Sequence, residues 1–222
     1  MQFYLITVLY YFLIIRSLDF CIKKYFPKSA SYFLLHTIFN TWVSWMVFED
    51  VIFTLLNPLD IYQKTYFSES GILTTLGIMC FHLNHLLFYS NLTTEDWLHH
   101  IISSLLVPIT AFIFPFSHIL ALSNIVMCGI PGGIDYFMLF LVKINKLNKL
   151  TEKRVNRFLN LLIRWPFMFL CFYIFIVNVI KFNVVTDYVI WMILAFALHL
   201  TNAVYYCDKV IGNYYLTSNK NL

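Results

Sequence analysis

The stretch FHLNHLLFYSNLTTEDWLHHIISSLLVP, residues 81–108, decides the fold expected for this chain, because it places ionisable side chains inside apolar sequence. Its histidines fall in two pairs: His82 and His85, then His99 and His100. Glu95 and Asp96 separate the pairs, and apolar segments flank the stretch on both sides. Ionisable groups within a membrane span are costly and usually face a cavity or a partner. The stretch therefore predicts two neighbouring helices that enclose a polar site.

The rest of the chain has the composition of a membrane protein. Of its 222 residues, 60% are hydrophobic and 12% are charged, and the mean hydropathy is +0.74. A soluble domain carries about a quarter charged residues. Apolar runs of about twenty residues, long enough to cross a hydrocarbon core of roughly 30 Å, recur along the sequence. The expected fold class is all-α, a polytopic transmembrane helical bundle of about seven spans.

The spans follow from the positions of the apolar runs. We place them near 3–20, 32–53, 71–89, 97–114, 119–142, 159–180 and 188–206. Pro131, Gly132 and Gly133 interrupt the fifth span, because proline lacks a backbone donor and glycine lacks a side chain to pack. Two outcomes are open: the helix kinks or unwinds around 129–133, or another helix crosses it closely at the glycine pair.

Basic residues predict the orientation of the spans. They concentrate in two loops, after the first span and between the fifth and sixth: Lys23, Lys24, Lys28, Lys143, Lys146, Lys149, Lys153, Arg154 and Arg157. A seven-span count places both loops on the same side, which the positive-inside rule identifies as the cytosol. The glycosylation sequon at Asn91 would then lie in a cytosolic loop, so we expect no glycan there.

Other polar side chains fall at the depth of the histidine pairs. They belong to the cytosolic halves of the second, fifth and seventh spans: His36, Asn40, Asp135, His199 and Asn202. Only His118, among the seven histidines, lies in the opposite half. Individually, such residues are explained by interfacial positions or by hydrogen bonds between helices. Together they predict a pocket that opens to the cytosol, continues into an apolar slot and is lined by four groups: His85, His99, His100 and Asp135.

A metal site is the less favoured interpretation of the histidines. Membrane di-iron desaturases use boxes of the form HxxxH and HxxHH, and no box here joins three histidines. The two histidine pairs of residues 81–108 have the ligand type for one zinc ion, but no carboxylate triad accompanies them. We therefore predict neither a metal nor a cofactor.

The order of four segments resembles the TLC domain, a family of polytopic membrane proteins that includes the ceramide synthases. DWLHHIISSLL, residues 96–106, is similar to the family's histidine pair at the start of a span, and FHLNHLLFY, residues 81–89, to the preceding helix. HTIFNTWVSW, residues 36–45, resembles an earlier helix. GGIDYFMLFLVKINKLNK, residues 132–149, resembles the segment in which an aspartate precedes a basic loop. We divide the chain into an N-terminal span with its basic cytosolic loop (1–30), a TLC-like transmembrane domain (30–207) and a flexible C-terminal tail (208–222).

The chain also departs from the ceramide synthase pattern. Those enzymes carry two aspartates three residues apart, whereas here Gly132 replaces the first and only Asp135 remains. Ser103 stands where they have a threonine, and their arginine after the histidine pair is absent. The resemblance therefore implies the fold more strongly than the activity.

The resemblance implies a role in lipid metabolism, with two functions open. The protein is either an acyltransferase that joins an acyl group from acyl-CoA to a sphingoid-type amine, or a non-catalytic protein that binds lipids and regulates membrane lipid composition or trafficking. In the enzyme, a histidine would remove the amine proton or take the acyl group itself as an acyl-imidazole, and His99 and His100 are the candidates for these roles. Asp135 would orient one imidazole or stabilise its charge. The expected substrate-binding residues are His82, His85, Asn40 and His199. A transporter-like protein, whose polar pocket would carry protons or a solute, stays open as a further class. It should show polar lining in both membrane halves, and the sequence shows such lining in one half.

The expected location is the endoplasmic reticulum or another endomembrane. Membrane lipids are the expected partners, acyl-CoA is the co-substrate of the enzymatic alternative, and nucleic acid is not expected. The sequence leaves open whether the protein forms a homodimer. Lys143, Lys146 and Lys149 would attract the phosphates of CoA or serve only to set the topology.

Overall fold

The computed structural model describes residues 2–60, 69–90, 92–102, 117–183 and 189–219, and within these ranges the chain forms helices and no strands. The helices are α1 (Gln2–Tyr25), α2 (Lys28–Leu56), α3 (Glu69–Phe88), α4 (94–102), α5 (Ser117–Asn124, Ile125–Gly129 and Ile130–Lys143), α6 (Lys149–Phe158, Leu159–Arg164 and Trp165–Lys181) and α7 (Val189–Asn219). The all-α class predicted from the sequence is confirmed. Asn91, Ser103 and the predicted end of the fourth span lie outside the described residues.

Among the residues that the structure describes, four helices are long and apolar enough to cross a membrane. They are Gln2–Tyr25, Glu69–Phe88, His118–Lys143 and Lys149–Lys181. This number is smaller than the seven spans predicted, although α2 and α7 contain 29 and 31 residues. Length and composition are therefore those of a membrane protein.

Two segments predicted to lack regular structure are helical. The basic segment after the fifth span turns only at 144–148, and α6 begins at Lys149 with the Asn148 side chain accepting a hydrogen bond from the backbone of Leu150. Residues 208–219, predicted as part of a flexible tail, continue α7. The lysines and arginines of 149–157 thus occupy a helix rather than a loop.

In the described part of the chain two prolines lie inside a long helix, and each follows a π-helical segment. Ile125–Gly129 precedes Pro131, and Leu159–Arg164 precedes Pro166. A proline ring clashes with the carbonyl four residues earlier and donates no hydrogen bond. A wider turn relieves that clash, and the backbone of Ile130 bonds five residues back to Ile125. The predicted irregularity of the fifth span is confirmed, but it begins at 125 rather than 129.

The close crossing at the glycine pair is also present. A Cβ atom on Gly132 would lie 2.7 Å from the amide nitrogen of Asn40, and one on Gly133 would lie 3.8 Å from the Cβ of Asn40. Both outcomes left open for the fifth span therefore occur together. The approach of α5 to α2 brings Asn40 beside the segment that carries Asp135.

A second close approach, between α3 and α2, gives a test of the packing. A Cβ on Gly77 would lie 2.7 Å from the Trp42 ring, which also packs edge-on against Tyr11. We expect Gly77→Ala to destabilise the protein by about 1–3 kcal/mol, because a rigid indole must move. Gly212→Ala is the matched control, since nothing lies within 4 Å of a Cβ there. Alanine at that helical position should stabilise by about 0.5–1 kcal/mol. Thermal unfolding in detergent micelles measures both, and equal effects would contradict the crossing.

An ionic cluster joins α1 to the end of α3. Asp19 is 1% exposed, and its carboxylate accepts hydrogen bonds from Arg16 at 2.8 Å, from Lys23 at 2.7 Å and from the Tyr89 hydroxyl at 2.5 Å. The Arg16 guanidinium also lies 3.8 Å above the centre of the Phe88 ring. The cluster fixes the end of α3 from which the chain turns into α4.

Candidate functional site

A cavity of about 730 Å³ lies among α2, α3, α4, α5, α6 and α7. All but one of the site residues predicted from the sequence line it: Asn40, His82, His99, His100, Asp135 and His199. Much of its remaining wall is apolar, and the larger apolar side chains are Phe39, Phe81, Met127, Trp191, Leu194 and Leu198. The cavity thus combines a polar region with an apolar wall, as the sequence predicted.

Three imidazoles meet where α4 folds back along α3. The Nδ1 atoms of His82 and His100 are 2.7 Å apart, which is a hydrogen bond between the rings. The His99 ring centre lies 5.1 Å from that of His82 and 5.4 Å from that of His100. Consecutive helical residues point about 100° apart, so His99 and His100 reach one centre only because His82 projects between them. His82 and His100 are buried, and His99 is half-buried beside the cavity.

His85, also predicted to line the pocket, lies behind the cluster. It is 0% exposed, and its ring centre is 5.2 Å from that of His100 and 4.7 Å from that of His36. Neither of its ring nitrogens has a hydrogen-bond partner among the described residues. It is absent from the cavity lining because Tyr32 and His36 cover it with their rings. A buried polar ring without a partner is energetically costly.

Asp135 has a different partner from the one predicted. Its carboxyl group interacts electrostatically with Glu152, Arg164 and Lys153 of α6, and the Lys153 ammonium lies 3.0 Å from the Glu152 carboxylate. Within the described residues no hydrogen bond joins Asp135 to a histidine. Asp135 contacts α6 rather than a histidine because α6 starts earlier than predicted and brings Glu152 against α5.

Glu152 begins a row of polar side chains that the sequence analysis missed. Asn156 donates to Glu152 at 3.4 Å, Asn160 donates to Asn156 at 2.7 Å, and Arg164 donates to Asn160 at 3.1 Å. These residues follow one another at intervals of four and therefore share one helix face. That interval was the available signal, but the basic residues between them favoured a loop. Asn156 and Arg164 line the cavity, so the row forms part of its polar wall.

The remaining polar residues hold the cavity walls together. His36 stacks on Tyr136 with ring centres 4.0 Å apart, and His199 bonds through Nδ1 to the carbonyl of Ala195 at 2.8 Å. Glu95, one turn before His99, forms an exposed ion pair with Lys209 of α7. The lysine lowers the pKa of the Glu95 carboxyl, and the carboxylate raises the pKa of Lys209. The pair connects the start of α4 to α7.

Comparisons of the chain with protein-family models, with curated proteins and with solved structures gave no match. The resemblance to the TLC domain therefore stays a prediction. The cavity and the imidazoles that line it are the features of the molecule that bear on its function.

Proposed function

We propose that this is a polytopic membrane protein of lipid metabolism with a TLC-like arrangement of seven spans, which transfers an acyl group from acyl-CoA to a lipid amine. One observation supports the proposal best: an imidazole cluster opens into a cavity of about 730 Å³ with a large apolar wall. Cavities that bind ligands are mostly apolar and carry a few polar groups that orient the ligand. The apolar wall suits an acyl chain, and the cluster lies where the chain's carbonyl group would be held.

The contact between His82 and His100 defines how the chemistry would proceed. If His100 donates its Nδ1 proton to His82, the lone pair on the other nitrogen of His100 is free to attack the thioester carbonyl. The carbon–sulfur bond breaks, an acyl-imidazole forms on His100, and its Nδ1 proton moves to His82. The departing thiolate is protonated by the His82 imidazolium. His82 thus gains a role as proton acceptor and donor, beyond the substrate contact expected from the sequence.

The second half of the reaction consumes the acyl-imidazole. The amine nitrogen attacks the acyl carbon, an amide bond forms, and the bond to His100 breaks. His99, which faces the cavity, takes the proton that the amine loses, and this proton returns to the imidazole ring of His100. The net products are an amide and CoA with its thiol protonated. Asp135 lies on the polar wall, where it would contact the polar end of the amine.

Location and topology complete the proposal. The basic residues of 143–157, those at the end of α1 and the lysine that begins α2 would face the cytosol of an endomembrane such as the endoplasmic reticulum, which is the side that supplies acyl-CoA. Arg164 and the neighbouring lysines would attract the phosphates of that co-substrate.

A second function, lipid binding without catalysis, is favoured by the position of Asp135. Its carboxyl group interacts with Glu152, Arg164 and Lys153 of α6, so neither imidazole of α4 has Asp135 as the carboxylate partner expected in a histidine–aspartate site. In that case the cavity would hold an intact lipid, and the imidazoles would contact its headgroup.

Purified protein separates the two functions. Protein in detergent micelles is incubated with a series of acyl-CoA molecules and a sphingoid-type amine, and amide products are measured by mass spectrometry. We expect product with wild type and none with the double variant His99→Ala/His100→Ala, while lipidomics of expressing cells should show the same difference. His118→Ala, which changes a histidine of α5 outside the cavity lining, is the matched control. Co-purified lipid without any acyl transfer would replace the first function by the second.

A further inference from the structure

We infer that His82, His99 and His100 form a binding site for a first-row transition metal ion, with Zn²⁺ as the expected occupant. The ligand atoms of these three imidazoles all lie within 4.8 Å of one another. They come from two helices joined by a short connection, so the site is held by the same packing that forms the cavity. Sequence patterns favoured the absence of a metal, because the triad takes one histidine from the first pair and two from the second.

The three imidazoles need only small side-chain rotations to reach the separations of zinc ligands. Zinc binds imidazole nitrogen at about 2.0–2.1 Å, which separates neighbouring ligand atoms by about 3.3 Å in a tetrahedral site. His82 and His100, at 2.7 Å, must separate slightly, and His99 must approach. The three rings already lie close together, since each pair of ring centres is between 4.9 and 5.4 Å apart.

The contact between two Nδ1 atoms also favours an ion. Two neutral imidazoles can form this contact only if one of them carries its proton on Nδ1. A metal ion placed between the rings replaces that proton and accepts both lone pairs. Imidazole is a preferred ligand of zinc, copper, iron and nickel, which defines the chemical class of the occupant.

The surroundings provide for charge and for an open coordination position. Asp96 lies one helical turn before the pair, and its carboxylate interacts electrostatically with both His99 and His100. Three protein ligands leave a fourth position toward the cavity, which is the arrangement of zinc sites that bind water or a substrate. His85 has no hydrogen-bond partner among the described residues and lies next to His100. It is therefore placed to form a hydrogen bond with a group that coordinates the ion.

Metal ligation and nucleophilic attack use the same nitrogen lone pairs. An ion at this site would therefore inhibit the acyl transfer proposed above, and only this consequence depends on that proposed function. Metal binding itself is measured without any activity, so failure of one proposal does not decide the other.

The test uses the full chain in detergent micelles, freed of metal with a chelator and then titrated with Co²⁺ or Zn²⁺. We expect one equivalent of metal by elemental analysis after dialysis, and a visible spectrum of tetrahedral Co²⁺. His82→Ala, His99→Ala and His100→Ala should each weaken binding at least about 100-fold, since each removes one of three ligands. His118→Ala, remote from the triad, should bind like wild type. His82→Cys should retain the ion and add a sulfur-to-cobalt charge-transfer band.

A second measurement uses wild-type protein alone, so its result does not depend on whether the variants fold. Diethyl pyrocarbonate modifies exposed imidazole nitrogen, and peptide mass spectrometry locates the modification. Zn²⁺ should protect His99, the half-buried member of the triad, and should leave modification elsewhere unchanged. Wild type that binds neither Co²⁺ nor Zn²⁺, or folded alanine variants that bind as wild type does, would overturn the site.

Discussion

Replacement of His100 by alanine should lower kcat/KM for acyl transfer by at least about 10³-fold, the largest effect expected for any single side chain of this protein. His100 is the proposed nucleophile, and it is 3% exposed with its Nδ1 atom hydrogen-bonded to His82. Without it no acyl-imidazole forms. Intact-protein mass spectrometry after a brief reaction with acyl-CoA should show an acyl adduct in wild type and none in the variant.

His82 distinguishes proton transfer from simple support of the neighbouring ring. His82→Ala should lower the rate by about 10²–10⁴-fold, the range of a general acid–base group. His82→Gln should be equally slow, since an amide keeps a hydrogen bond to His100 but cannot take its proton. Recovery of wild-type activity in the glutamine variant would show that His82 only positions His100. Full activity of His100→Ala would remove the proposed mechanism altogether.

Replacement of Asp19 by alanine should destabilise the fold by about 3–5 kcal/mol, the cost of removing one partner from a buried ionic cluster. Asp19 is 1% exposed, and three donors converge on it: Arg16, Lys23 and Tyr89. Its loss leaves two cations without their counter-charge and the tyrosine hydroxyl without an acceptor. Thermal unfolding in detergent micelles measures the effect.

Two further variants give reference values for the loss of stability in Asp19→Ala. Asp19→Asn keeps an acceptor for Tyr89 but not the charge, so its loss of stability should be intermediate. Asp60→Ala removes an ion pair with Lys181 in which both side chains are about half exposed. Exposed pairs contribute about 0–1 kcal/mol, so this control should unfold close to wild type. If Asp19→Ala and Asp60→Ala unfold alike, the cluster does not hold α1 against α3.

Helical periodicity explains which parts of the site could be predicted from the sequence. His82, His99 and His100 lie close to the ends of two apolar segments with a short connection, so their proximity follows from the turn between antiparallel helices. The shielding of His85 depends instead on the rings of Tyr32 and His36, which come from α2. No local pattern encodes how three helices rotate about their own axes. It was therefore predictable that His82 and His85 both lie at the site. It was not predictable that His82 joins the imidazole cluster while His85 is covered by other rings.

The partner of Asp135 was missed for a related reason. Lys153, Arg154 and Arg157 made residues 143–157 look like a loop, because a high density of charge usually marks solvated sequence. In the structure they alternate with Glu152 and Asn156 on an amphipathic helix, with the polar row directed inward. The four-residue spacing of Glu152 and Asn156 was the stronger signal, because it indicates a helix. That helix brings Glu152 beside Asp135.

The polar row of α6 has a consequence for how the protein is made. A helix that carries Glu152, Asn156, Asn160 and Arg164 along one side cannot expose that side to lipid without a large cost. Its stable insertion must therefore wait for neighbours that cover the row. The end of α5, which precedes it in the chain, and α7, which follows it, both pack against its first turns. A nascent chain that stops before α7 would leave part of this row uncovered, as a degradation signal for membrane quality control.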